Sequence, residues 1–182
     1  MGAVVRGGER GVTRPAMDGN RGAMDTQAHI KLELLSNPLY LAGARELVAS
    51  VARRLGFSEI SCAQIALAVD EALCNVIRHG YEGDQGRPIW ISIWPIEAEG
   101  EDGEPGLRLV IEDEAPHVDP EHMKGRDLDD IRPGGLGVHI IREVMDDVSY
   151  EKRAPGGMRL TLTKVGDVQP SGDTSSDVDD SD

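Results

Sequence analysis

The hydrophobic period along the chain switches from two to 3.6 and back, and each switch marks an element. His29-Ile30-Lys31-Leu32-Glu33-Leu34 alternates and reads as a strand. Asn37-Pro38 supplies a cap and a first-turn proline for a helix to about Arg54, closed by Gly56. Ser58 with Ser61 offers caps for a second helix that stops at Gly80. From Pro88 to Glu97, Ile89, Ile91 and Ile93 alternate with Trp90, Ser92 and Trp94, and a second strand, Leu107 to Asp113, follows a Gly- and acid-rich turn from Glu99 to Gly106. A polar segment from Glu114 to Pro133 precedes a helix from about Gly135 to Asp146. Two last strands, Val148 to Arg153 and Met158 to Val165, are joined through Pro155-Gly156-Gly157. Helices that precede and interrupt hairpin strands predict an α/β sandwich: a mostly antiparallel, mixed sheet with helices on one face.

The second helix carries the first candidate chemistry. At 3.6 residues per turn, Gln64, Glu71, Asn75 and Arg78 share one narrow face, and Ile65, Val69, Ala72, Leu73 and Val76 share another. One face packs and the other is free. Glu71 can accept a proton or orient a nucleophile, and Asn75 offers a neutral oxygen of the kind that hard cations such as magnesium accept. Taken alone the polar face also fits an ordinary solvated helix surface.

Composition narrows the classes. A chain of 182 residues that is 39% apolar can close one core, with two Trp, three Tyr and one Phe leaving the packing to aliphatic side chains. The formal charge of −14 argues against nucleic-acid phosphates as partners, because that binding rests on clustered Lys and Arg. A phosphate ligand would instead need backbone amides, a metal ion and a few local cations, for which Lys124, Arg126, Arg132 and Arg142 are the candidates. Asp167 to Asp182 holds six Asp and no basic residue, and reads as an acidic disordered tail. Residues 1–27 are Gly- and Arg-rich without periodicity and read as a disordered extension, leaving 28–166 for the folded unit. With no secretory pattern at the start and no run of 18 apolar residues, the expected compartment is the cytoplasm. Cys62 and Cys74 lie twelve residues apart on one helix, about 18 Å, too far for a disulfide.

Two further segments carry chemistry. Asp113 ends a strand where the apolar alternation stops, and a carboxylate there either caps the turn through Ala115-Pro116 or accepts a hydrogen bond from an exocyclic amine such as adenine's. Arg132-Pro133-Gly134-Gly135-Leu136-Gly137 opens a helix whose core face is Val138, Ile141, Val144, Met145 and Val148. Glycines and the unpaired amides of a helix start suit an anion, although a loop hinge explains glycines equally well. The segment has neither Walker spacing nor the strand that should precede a Rossmann fingerprint.

Three motifs in order, Asp70-Glu71-Ala72 with Asn75 and His79-Gly80-Tyr81, Glu112-Asp113-Glu114-Ala115-Pro116 with Asp119-Pro120, and Gly134-Gly135-Leu136-Gly137-Val138-His139 with Met145-Asp146, resemble the Bergerat-type fold of the histidine-kinase-like ATPases. More closely they resemble the anti-sigma-factor serine kinases. The resemblance implies ATP and Mg²⁺ as cofactors. It places magnesium on Asn75, makes Glu71 the base or orienter for a protein serine hydroxyl, and makes Asp113 the reader of adenine. It implies that Gly134, Gly135, Leu136, Gly137 and Val138 present amides to the phosphates, with 114–133 as a lid. Ala115 and His117 stand where many members have glycine. Met158 stands where the superfamily often has Thr, so Ala115 and, nearby on the last strand, Thr161 are the remaining nucleotide-binding candidates. The implied function is an anti-sigma factor and protein serine kinase that phosphorylates an anti-anti-sigma (STAS-type) antagonist or sequesters a sigma factor, as a homodimer without direct contact to nucleic acid or membrane. The alternative is a non-catalytic, nucleotide-gated module that sequesters its partner.

Overall fold

The computed structural model describes residues 27–98, 104–116 and 136–166. Residues 1–26 of the expected extension, the acidic tail, the lid beyond Pro116, and Lys124, Arg126, Arg132, Gly134 and Gly135 lie outside them. Strand β1 (Ile30–Leu35) leads through a 3₁₀ turn (Pro38–Tyr40) into α1 (Leu41–Arg54); α2 (Glu59–Asn75) continues into a π-helical turn (Val76–Gly80). Then come β2 (Pro88–Ile96), β3 (Gly106–Glu112), α3 (Leu136–Val144), β4 (Asp147–Lys152) and β5 (Met158–Val165). The sheet order is β1-β2-β3-β5-β4, and every pairing is antiparallel.

Period-two patterning decides which face the helices cover. Leu32, Ile91, Ile111, Leu160 and Tyr150 are successive cross-strand partners and form one row of the inner face. Ile89, Ile93, Leu107, Leu109 and Leu162 complete that face, all buried. The outer face carries rows of alternating charge, such as Trp90, Glu112, Arg159 and Glu151. The three helices lie on the inner face with α2 in the middle, packed between α1 and α3. This position explains its composition: Cys62, Ile65, Ala66, Ala68, Val69, Ala72 and Leu73 are all buried, more of the circumference than one stripe. The helix Glu59–Gly80 is long and apolar enough to cross a membrane by length and composition, but here its apolar surface serves the core between two helices and a sheet.

The capping residues behave as the sequence suggests. Asn37 Oδ1 accepts the Leu39 amide at 3.0 Å, and Ser58 Oγ accepts the Ser61 amide at 3.2 Å. Proline at the first position begins a 3₁₀ turn that passes into α1 rather than the α-helix itself. At the other end of the molecule Asp146 closes the α3–β4 turn onto β5: its carboxylate accepts the Val165 amide at 2.8 Å and Lys164 Nζ at 3.0 Å. Both cysteines are free, Cys62 buried and Cys74 half-buried.

Candidate functional site

A partly enclosed cleft opens between the C-terminal half of α2 and the inner face of β3, β5 and β4. Ala72, Asn75, Val76 and Gly80 form its helical wall, and Ile111, Leu160, Met158 and Tyr150 form its apolar floor, with Asp113 at one end. The mostly apolar lining with a few polar groups is that of a small-molecule site.

The helical wall owes its shape to the π turn. After Asn75 the backbone goes over to π bonding, and the Tyr81 amide reaches back to the Val76 carbonyl at 2.8 Å. The widened turn sends Ile77 and Tyr81 into the core, where they are 5% and 7% exposed. Val76, expected on the core face, packs half-buried against the core cluster and also lines the cleft. Asn75, at the junction, keeps its amide on the cleft. One turn earlier Glu71 is half-buried and faces the start of α3: a Cβ added at Gly137 would lie 2.5 Å from Glu71 Oε2 and 3.5 Å from Asn75 Nδ2. A side chain at this position would have to displace the Glu71 carboxylate. Glu71, Asn75 and Gly137, far apart in sequence, thus meet at one place. Leu136 begins α3, and Val138 is half-buried on it without reaching the cleft lining; Arg142 is exposed on the same helix.

The opposite end is built by a strand that runs one residue past its ladder. Asp113 continues the inward row Leu107, Leu109, Ile111 and is only 4% exposed. Its amide donates to Met158 O at 3.1 Å, but the reciprocal Met158 amide goes to Asp113 Oδ1 at 3.2 Å rather than to the main-chain carbonyl. The same Oδ1 accepts the Ala115 amide at 2.8 Å, an Asx turn that holds the chain without glycine. One oxygen thus caps the turn, as the first reading of Asp113 expects, while the other, Oδ2, accepts no hydrogen bond from the described residues. Burial pushes the Asp113 carboxyl above the usual carboxylate range, opposed by the Ala115 and Met158 amides and by the Arg153 guanidinium. Ala115 is buried beside this turn, holding it through its amide.

Thr161 requires a correction. It sits between the buried Leu160 and Leu162 and pairs with Val110 and Ser149, so its side chain is on the outer face, away from the cleft. Met158 and Leu160 hold the inward positions of β5 instead, and Tyr150 of β4 joins them. The alternation Met158, Leu160, Leu162 is the signal that finds them. Tyr81, Arg153 and Gly157 also touch the Asp113 turn: Tyr81 stands in a motif and Gly157 in a turn that the sequence marks, but neither pattern points to contact with Asp113.

The donor set fits magnesium. Asn75, on the cleft wall, offers one neutral oxygen of the kind this ion accepts when phosphates and waters complete its octahedron. No group of three or more His, Cys, Asp or Glu that would cage an ion exists among the described residues.

A five-stranded sheet covered on one face by helices, with an amide-bearing central helix, a buried strand-end carboxylate and a glycine at the third helix's start, defines an ATPase-type nucleotide cleft. The family model for the histidine kinase-like ATPase domain matches residues 34–164, and the chain belongs to that family. Among its relatives, the serine-protein kinase RsbW of Listeria innocua is 29% identical over 139 residues, 74% of this chain and 85% of the relative. The serine-protein kinase RsbW of Bacillus subtilis is 25% identical over 145 residues, 75% of this chain and 84% of the relative. The crystal structure of the RsbU and RsbW domains of Rv1364c from Mycobacterium tuberculosis shares the fold, with a TM-score of 0.50 at 19% identity over 78% of this chain; the chain spans 34% of that longer one.

Proposed function

We propose that this protein is an ATP- and magnesium-dependent protein-serine kinase that also acts as an anti-sigma factor, phosphorylating a STAS-type antagonist and holding a sigma factor by turns. The observation that carries it is the cleft itself: the buried Asp113, with one carboxylate oxygen unbonded by the described residues, at one end and the Glu71–Asn75–Gly137 junction near the other. Similarity to the serine-protein kinases over most of both chains supports the same reaction class.

Each residue then has a defined task. Asp113 Oδ2 accepts the exocyclic amine of adenine while the base lies on Ile111, Leu160 and Met158. Leu136, Gly137 and Val138 bring amides of the first turn of α3 to the phosphates, where the helix start favours negative charge, and Gly134 and Gly135, outside the described residues, are expected to act with them. Asn75 would hold magnesium through its amide oxygen, and the bound ion supplies charge neutralisation on the triphosphate. Glu71 accepts the proton of the partner's serine hydroxyl as its oxygen bonds to the γ-phosphorus and the bond to the ADP oxygen breaks. The added phosphate charge on the antagonist weakens its docking and frees the kinase for its other partner. The working unit is a cytoplasmic homodimer.

The test incubates the full chain and Mg²⁺ with γ-labelled ATP and candidate STAS-type antagonists. Label on an antagonist serine, lost in Asn75→Ala and Glu71→Gln, is the expected result. Partner binding without label transfer by the wild type would replace the kinase with a sequestering module.

A further inference from the structure

Resting on the nucleotide reading above, we infer that Tyr81 and Arg153 are positioning residues that set which base the cleft accepts, by holding the one peptide group between Asp113 and Glu114 from both sides. The N–H of that peptide, on Glu114, donates to Tyr81 Oη at 2.7 Å, and Tyr81 Oη donates to Pro88 O at 2.6 Å. The C=O of that peptide, on Asp113, accepts from Arg153 Nη1 at 2.6 Å. Both holders are themselves held. Tyr81 is buried in the core cluster. Arg153 Nε lies 3.1 Å from Glu112 Oε1, which also binds Arg159 Nη2 at 2.9 Å, and the Arg153 guanidinium lies 5.2 Å over the Trp90 ring.

The clamp matters because two acceptors compete for one donor. In a regular antiparallel ladder the Met158 N–H would go to the Asp113 main-chain oxygen. Arg153 occupies that oxygen, and Gly157, at φ +98°, brings its backbone so close to the Asp113 carbonyl and Glu114 Cα that no side chain fits there. Met158 N–H is thereby left to Asp113 Oδ1, which fixes the carboxylate and leaves Oδ2 free for a ligand. An oxygen with no hydrogen of its own selects a base that presents an amine over one that presents a carbonyl. Releasing the clamp lets the ladder bond return to the main chain and the carboxylate turn. The charged groups nearby are Glu112 and Glu114 on either side of Asp113, Arg159 on β5, and Arg87, which faces Tyr81 and Glu114.

Calorimetric titration of the full chain with Mg-ATP and Mg-ITP decides it, because inosine replaces the amine with a carbonyl. Tyr81→Phe and Arg153→Gln should each lower the preference for ATP over ITP about tenfold by weakening ATP, with ITP affinity unchanged. The double variant should lose little more than either single one, since both side chains hold one peptide. Arg153→Gln should also move the pH at which ATP affinity is lost upward; Arg153→Lys, which keeps the charge, should restore it, and Tyr81→Phe should leave it in place. Equal loss of ATP and ITP, or an unchanged preference in whichever of the two single variants stays folded, overturns the clamp and leaves the nucleotide reading standing. No ATP binding by the wild type overturns both.

Discussion

The two ends of the cleft are built by different means. At the Asp113 end, three strand ends and a turn are tied by directional bonds: Oδ1 alone accepts two amides, and the following peptide is bonded at both its N–H and its C=O. At the Glu71–Asn75 end two helices meet at a glycine, and no comparable set of directional bonds ties the two side chains among the described residues. One end is set before any ligand arrives; the other gains its bonds from the ligand. In our reading the first recognises and the second performs chemistry, and substitutions at the two ends should separate these roles.

The largest effect belongs to the chemical end. Asn75→Ala should lower phosphoryl transfer roughly a hundredfold or more while ATP-independent partner binding persists, measured by label transfer and by pull-down of the same partner. Gly137→Val should act in the same direction, because its side chain displaces Glu71; the expected signature is a fall in kcat with the preference for ATP over ITP intact. The recognition end should answer oppositely. Asp113→Asn keeps an oxygen for the Ala115 and Met158 amides but points an amide nitrogen at the base, so ATP affinity should fall roughly tenfold and the ATP-over-ITP preference should vanish in calorimetry.

A control outside both ends is Leu109→Ala in the fully buried centre of β3. It should cost about 2–5 kcal/mol in urea unfolding without altering the ATP-over-ITP ratio of the folded fraction.

The smallest effect concerns pH. Folding raises the Asp113 pKa, so the protonated form is favoured in the native state: its stabilisation is present below the ordinary carboxylate range and is lost as pH rises through the raised value. Asp113→Asn should therefore raise the melting temperature of the ligand-free protein slightly at pH 7, by about a few degrees, and the gain should disappear in acid. ATP needs the ionised form, so its affinity should fall on acidification at a higher pH than an ordinary Asp would give.

The same division explains what the sequence makes legible. Glu71 and Asn75 are a local pattern on one helix, Asp113 interrupts a strand's alternation, and Gly137 opens a helix, so each is visible within a few residues. Strand and helix order follow from the same periodicity. Arg153, Gly157 and Tyr81 are separated from Asp113 by tens of residues and become its neighbours only through the β3-β5-β4 order and the π turn after Asn75. Neither leaves a compositional trace. Thr161 was assigned by proximity to the expected position, whereas the parity of β5 is fixed by its pairing with β3: Leu160 opposite Ile111 puts Thr161 on the outer face.

Titration of the full-length chain with ATP, with and without Mg²⁺, tests the central claim most directly. Saturable binding strengthened by magnesium in the wild type, and a loss of that magnesium dependence alone in Asn75→Ala, is the expected result. Neither heat nor a rise in melting temperature at millimolar Mg-ATP would contradict the account.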